Sequence, residues 1–128
     1  MKEPGGKWHL PRKDPRAATD VVVEAYHADA KTLRGICRLL DLSISGACVE
    51  STSDWVEGEE VVIRVLLDTR TLLKLPAKVI WKRLFAKTHH YGLRFNDYSE
   101  KNRAEIAQFV KDFEARLSRM GPKLVFKA

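Results

Sequence analysis

Between residues 20 and 97 apolar side chains alternate with polar ones in a succession of short runs, and after Asn96 that period of two gives way to one near 3.6. Successive side chains of a strand point to opposite faces, whereas recurrence every three or four residues marks one stripe of a helix. The runs VVVEAYHA, TLRGICRLLDL and GACVEST are β-branched and broken by turn-compatible pairs such as Asp29-Ala30. They read as three strands in hairpin succession. A turn follows over 54–58, and then EEVVIRVLLDT sets Val61, Ile63, Val65 and Leu67 on one face. In TLLKLPAKVIWKRLF the same alternation joins Leu73, Leu75, Ala77, Val79 and Trp81, with Pro76 marking an edge position or a bulge. THHYGLRFND closes the series, Tyr91, Leu93 and Phe95 sharing a face. Six short antiparallel strands resolve as a closed barrel or a sandwich, since closure removes exposed edges.

The helical stripe that follows holds Ile106, Phe109, Val110, Phe113, Leu117 and Met120 over about five turns. Asp97 or Ser99 can cap its start, and Gly121-Pro122 stops it. Its apolar face packs either on the strands or on a second subunit, which leaves monomer and homodimer both open. Upstream, residues 1–19 hold three prolines and an adjacent glycine pair, so they read as an extended arm. The chain therefore divides into an arm at 1–19, one domain of strands plus helix at 20–120, and a short tail at 121–128.

The charge balance favours anionic partners: 23 Lys and Arg against 17 Asp and Glu, a formal +6. Residues 71–91 hold Lys74, Lys78, Lys82, Arg83 and Lys87 and no acid, and Arg12, Lys13 and Arg16 cluster in the arm. Apolar runs such as VVIRVLL are too short and too charged to span a bilayer, and MKEPGGKWHLPRKDPR lacks a signal-peptide core. A cytoplasmic protein without membrane insertion is expected. Cys37 and Cys48 stand alone, as reduced thiols in strands do.

Catalytic patterns are missing. His89 and His90 are strand neighbours that point apart, which is poor geometry for a shared metal. Ser43 and Ser45 sit in no GxSxG elbow, and there is neither a Walker A loop nor a GxGxxG turn. A binding module is expected rather than an enzyme, with no cofactor and no metal.

Binding chemistry is present. Arg12 and Arg16 offer two guanidinium forks that match phosphate oxygens and the O6 and N7 edge of guanine. Asp41 only accepts hydrogen bonds and so fits guanine's N1–H and N2–H donors. Ser43, two residues on, is placed on the same strand face with a hydroxyl free to donate, and Gly46 marks a sharp turn or a close approach by a ligand. In order these form R-x-x-x-R (Arg12, Arg16) and then D-x-S-x-x-G (Asp41, Ser43, Gly46).

That ordered pair resembles the PilZ family of bacterial cyclic di-GMP receptors. The resemblance extends from Arg12 to about Phe113 and takes in VIW at 79–81, GLRF at 92–95 and the helix. It implies a six-stranded antiparallel β-barrel with a C-terminal helix and a nucleotide held on the barrel's outside. It also implies that Arg12 and Arg16 grip phosphate and guanine, that Asp41 and Ser43 read a guanine edge, and that Gly46 permits the approach. Trp81 falls where related domains place an aromatic residue beside the guanine, in competition with a core role. Members that bind two stacked ligands carry a further arginine where this chain has Pro11, and Lys13 supplies charge but no planar fork, which favours one ligand per domain. The implied role is a receptor that orders its arm on binding and signals to a downstream protein in motility, biofilm or exopolysaccharide control. The rivals are a PilZ-like adaptor that binds no nucleotide and, less favoured, a single-stranded nucleic-acid binder using the basic strand with Trp81 and Tyr91 as stacking platforms.

Overall fold

Alternation builds a closed surface here. The computed structural model describes residues 14–67, 71–96 and 99–120. Its elements are β1 (Ala17–His27), β2 (Leu33–Leu42), β3 (Gly46–Ser51), β4 (Glu60–Leu67), β5 (Thr71–Phe85), β6 (Thr88–Phe95) and the helix α1 (Glu100–Met120). The strands pair antiparallel in the order β1-β2-β3-β6-β5-β4, and β1 returns to β4 from Glu24↔Arg64 to His27↔Val61, closing the barrel. This is the six-stranded barrel with a C-terminal helix that the motifs imply.

The interior is the set of alternating residues. Val61, Ile63, Val65, Leu73, Leu75, Ala77, Val79, Tyr91 and Leu93 are all at most 2% exposed, which is what period two demands of one barrel face. The 54–58 segment is more than a turn. Trp55 within it is wholly buried, stacked on Tyr91 with ring centroids 4.7 Å apart, and its backbone N–H donates to the Tyr91 hydroxyl at 2.8 Å. That hydroxyl donates in turn to the Ser53 carbonyl at 2.6 Å, so one aromatic pair fills the barrel mouth and ties down the loop. Arg34 staples the same loop, through Glu59 at 2.7 Å and the Asp54 carbonyl at 3.0 Å.

Three expectations are corrected and one is narrowed. Pro76 sits at no bulge but at an edge-like position: it pairs with Val62 of β4 and lies one residue past the last β5–β6 pair, Ala77↔Phe95. Its carbonyl accepts the Asn96 N–H at 2.8 Å, so its nitrogen faces the point where β6 ends and no ladder donor is lost. The arm does not extend to residue 19, because β1 begins at Ala17, which is fully buried and pairs with Leu42. Trp81 does not join Val79 on the core face, for a reason given below. The helical stripe also stops short of its end: Ile106 and Val110 are buried and Phe109 and Phe113 partly so, but Leu117 is 37% exposed because α1 outruns the barrel it packs on.

Ser99 is the helix cap, its hydroxyl accepting the Asn102 N–H at 3.1 Å and its carbonyl the Arg103 N–H at 3.0 Å. Asp97, Gly121 and Pro122 lie outside the described residues, as does the 121–128 tail. Both cysteines are strand residues outside any disulfide, and burial pushes the Cys37 thiol up to about 12. Among the described residues no helix is long and apolar enough to cross a membrane.

Candidate functional site

Three β-bulges decide which motif side chains reach the surface. In β1–β2 the register passes from Ala18↔Asp41 to Val21↔Leu39, in β2–β3 from Leu39↔Val49 to Asp41↔Cys48, and in β5–β6 from Val79↔Leu93 to Trp81↔Gly92. Each adds one residue to one strand and so reverses the in-and-out sense beyond it. Asp41 is two residues from the buried Leu39, and Trp81 two from the buried Val79, yet neither is buried. The extra residues, Leu40 and Ile80, turn them outward.

The bulges also bring them into one row. Ala18, Asp41, Cys48, Gly92 and Trp81 are successive cross-strand partners on β1, β2, β3, β6 and β5. A cleft of about 70 Å³ lies along it, with Arg16 and Asp41 at one end, Cys48 and Gly92 on its floor, and Ile80 and Trp81 at the other end. Trp81 can lie across β6 only because residue 92 is glycine: a Cβ there would fall 1.9 Å from the indole Nε1. With neighbouring strands about 4.8 Å apart, the Gly92 and Asp41 backbones lie roughly 10 Å apart across β3, with the indole covering the Gly92 end.

Arg16 immediately precedes β1, and its Nη1 donates to Asp41 Oδ1 at 2.5 Å; the two side chains are 22% and 27% exposed. The Arg16 Nε–H is buried and has no acceptor among the described residues. Arg12 and Lys13 lie outside the described residues.

Ser43 and Gly46 are placed differently from the expectation. Ser43 stands one residue beyond the end of β2, not on its face, and is fully buried. Its hydroxyl accepts the backbone N–H groups of Ser45 at 3.3 Å and Gly46 at 3.2 Å, while its own N–H donates to the Gly46 carbonyl at 2.9 Å. Here it is the clasp of the β2–β3 turn, and that turn sets Asp41's strand against β3. Gly46 does serve a close approach, but to β6: a Cβ would lie 2.0 Å from the Leu93 carbonyl oxygen. Tyr91, the second stacking platform of the nucleic-acid reading, is buried inside the barrel while Trp81 is outside, so the two cannot form one platform.

The residues missed by sequence reasoning are Cys48, Gly92 and Ile80. The first two are the floor and the third is the bulge, and no spacing rule reveals them because they meet the motif only across strands. One row further along the outside, Glu50 binds Thr88 Oγ1 at 2.8 Å, Arg38 at 2.7 Å and His90 at 3.4 Å, and those contacts, the Thr88 hydroxyl first, hold its carboxyl below the usual range. The larger cavity, about 270 Å³, lies elsewhere, over β4 and β5, and contains no motif residue. Chemistry, not volume, locates the nucleotide candidate. Among the described residues no three His, Cys, Asp or Glu side chains are grouped to hold a metal.

The fold recurs in solved structures. The chain superposes on YcgR from Escherichia coli in complex with c-di-GMP with a TM-score of 0.72 at 20% identity, covering 88% of this chain and 50% of that one. On the PilZ domain of YcgR with c-di-GMP the TM-score is 0.64 at 18% identity, covering 93% of this chain and 100% of that one. On the PilZ domain of CeSA from a cellulose-synthesizing bacterium it is 0.57 at 24% identity, covering 77% and 97%. The chain thus spans half the length of the YcgR complex chain. No curated protein sequence matches it significantly. The PilZ domain family model matches residues 11–112, the stretch that holds both motifs, the whole barrel and most of the helix, and the chain belongs to the PilZ domain family.

Proposed function

We propose that this chain is a cyclic di-GMP receptor whose site is the outer row from Arg16 and Asp41 to Trp81. The observation that carries the reading is the bulge-made convergence of a guanidinium, a carboxylate and an indole around a floor of Gly92 and Cys48. A guanine lying on that floor puts its face against Trp81 and its N1–H and N2–H edge toward Asp41, a carboxylate that can only accept. Arg16 then turns from Asp41 to the phosphate, where its fork bonds two oxygens, and Arg12 supplies the second fork from the arm. Because Arg16 already bonds Asp41, ligand exchanges one charge-assisted contact for several, and closure of the arm that carries Arg12 is the step coupled to binding. The YcgR structures contain c-di-GMP in the same fold, which supports the choice of ligand.

Ser43 acts through the turn and Gly46 through the β3–β6 contact, so the direct contacts fall to Arg12, Arg16, Asp41 and Trp81, with Lys13 adding charge. The chemistry is recognition, not catalysis, and the ordered arm is the signal to a downstream protein. Motility, biofilm and exopolysaccharide control are the processes such a receptor serves from the cytoplasm.

Calorimetric titration with cyclic di-GMP tests the reading and returns stoichiometry with affinity. One ligand per chain is expected, with a loss of at least about tenfold, or roughly 1.4 kcal/mol, for Arg16→Ala and for Asp41→Ala. Parent-like binding by both variants would remove the site, and no heat with the parent chain would leave the nucleotide-free adaptor.

A further inference from the structure

Most of the outer face of β5, from Leu72 to Lys78, lies outside the nucleotide cleft. Leu72, Lys74, Pro76, Lys78 and Ile80 all point outward and are exposed, a stripe of roughly 26 Å at 3.3 Å per residue in which apolar and cationic side chains alternate. Neighbouring strands add Arg64 opposite Lys74 and Arg94 opposite Lys78. Two acids lie nearby: Glu24, which Arg64 bonds at 3.2 Å, and Glu60, paired across from Lys78. Lys74, Lys78 and Arg94 have no carboxylate partner among the described residues.

The 270 Å³ cavity opens on this stripe, with Tyr26, Val62 and Leu72 as its apolar walls and Arg64 and Lys74 among its lining. Its volume falls below the usual range for a small-molecule pocket and suits a single anchoring side chain. Like charges held without counterions beside exposed leucine and isoleucine are stabilised by a surface that brings both acids and apolar area. A nucleic acid would instead use exposed aromatic platforms, and the one aromatic ring here, Tyr26, is tethered through its hydroxyl to Glu24 at 2.6 Å.

We propose that the outer face of β5 docks an acidic segment of a partner protein, with one large apolar side chain of that segment seated between Tyr26, Val62 and Leu72. The proposal rests on the signalling to a downstream protein given above and names that partner's chemistry. Ile80 belongs both to the stripe and to the nucleotide cleft, so a segment lying along β5 ends beside the bound nucleotide.

Selection of random dodecapeptides displayed on phage against the whole chain tests it without nucleotide. Enrichment of Asp and Glu around a Leu, Ile or Phe is expected, with at least about tenfold weaker binding of the selected peptides to Lys74→Glu/Lys78→Glu and to Leu72→Asp. Both lysines are exposed, so the charge-reversed chain is expected to melt as the parent does and to titrate with cyclic di-GMP as the parent does. The proposal is overturned if the selected peptides lack acids, if they bind the charge-reversed chain equally, or if random single-stranded RNA binds through the same lysines more tightly at physiological salt. Failure of the receptor reading shows separately, as absence of nucleotide binding by the parent.

Discussion

Trp81 and Gly92 are cross-strand partners on the outside of the barrel, and the indole occupies the space that a side chain at 92 would fill. The same contact seats the indole on the Gly92 backbone at one end of the cleft.

Gly92→Ala therefore tests the platform without touching a charged group. The added methyl meets the indole, not backbone, so the barrel folds and Trp81 is displaced. Cyclic di-GMP affinity is expected to fall at least about tenfold, and Trp81→Ala to match it. Calorimetry giving parent-like affinity for Gly92→Ala refutes the stacking role.

Asp41 and Ser43, two residues apart in one motif, are expected to separate in their effects. Asp41→Ala lowers affinity and leaves stability nearly intact, since Asp41 is at the surface of the cleft. Ser43→Ala leaves the buried Gly46 N–H without this acceptor, removes the part-buried bond from the Ser45 N–H, and is expected to cost about 1–3 kcal/mol in urea unfolding. A Ser43→Ala chain as stable as the parent but unable to bind would restore Ser43 as a direct ligand contact.

Gly46→Ala pushes a methyl into the Leu93 carbonyl, which belongs to the ladder and cannot move aside. Overpacking of this kind costs typically about 1–3 kcal/mol. The free energy of unfolding in urea is expected to drop at least that far, with nucleotide affinity lost only as the fold is lost.

The plug at the barrel mouth is expected to be a major stability determinant. Trp55→Ala empties a fully buried site and costs roughly 3–5 kcal/mol. Tyr91→Phe keeps the ring but removes the acceptor of the Trp55 N–H and the donor to Ser53, for about 1–3 kcal/mol. Equal, near-zero changes in urea unfolding would contradict the stacked pair's role.

Asp29 sets the acid limit of the β1–β2 turn. Its carboxylate accepts the backbone N–H groups of Thr32 and Lys31 and then the Thr32 hydroxyl, which together bring its pKa from 3.8 down to about 2. A folded pKa below the unfolded one means stability present above pH 3.8 and lost as pH falls toward about 2. Carboxyl carbon shifts followed by NMR are expected to titrate near 2 for Asp29; a midpoint near 4 would show that the turn bonds do not form.

The barrel was legible because a half-buried strand must keep one face apolar, and Val61, Ile63, Val65 and Leu67, or Tyr91, Leu93 and Phe95, recur at period two on that face. Ser99 and the helix stripe through Phe113 were legible for the matching reason at period 3.6. Trp81 was misplaced because a bulge at Ile80 leaves no mark in the local pattern: the run TLLKLPAKVIWKRLF alternates through it unbroken, and only the pairing with β6 reveals the extra residue. Trp55 was passed over because it belongs to a turn by composition, while its burial depends on Tyr91, 36 positions away.

By itself, then, the sequence determined the element types, most of the inward faces and the family motifs, all of which are local in the chain. The tertiary structure alone decided that Asp41 and Trp81 face outward across Cys48 and Gly92, that Ser43 is a buried clasp, and that β5's outward residues form one basic and apolar stripe. Those relations depend on register and on bulges, and strand register is set by contacts between residues far apart in sequence.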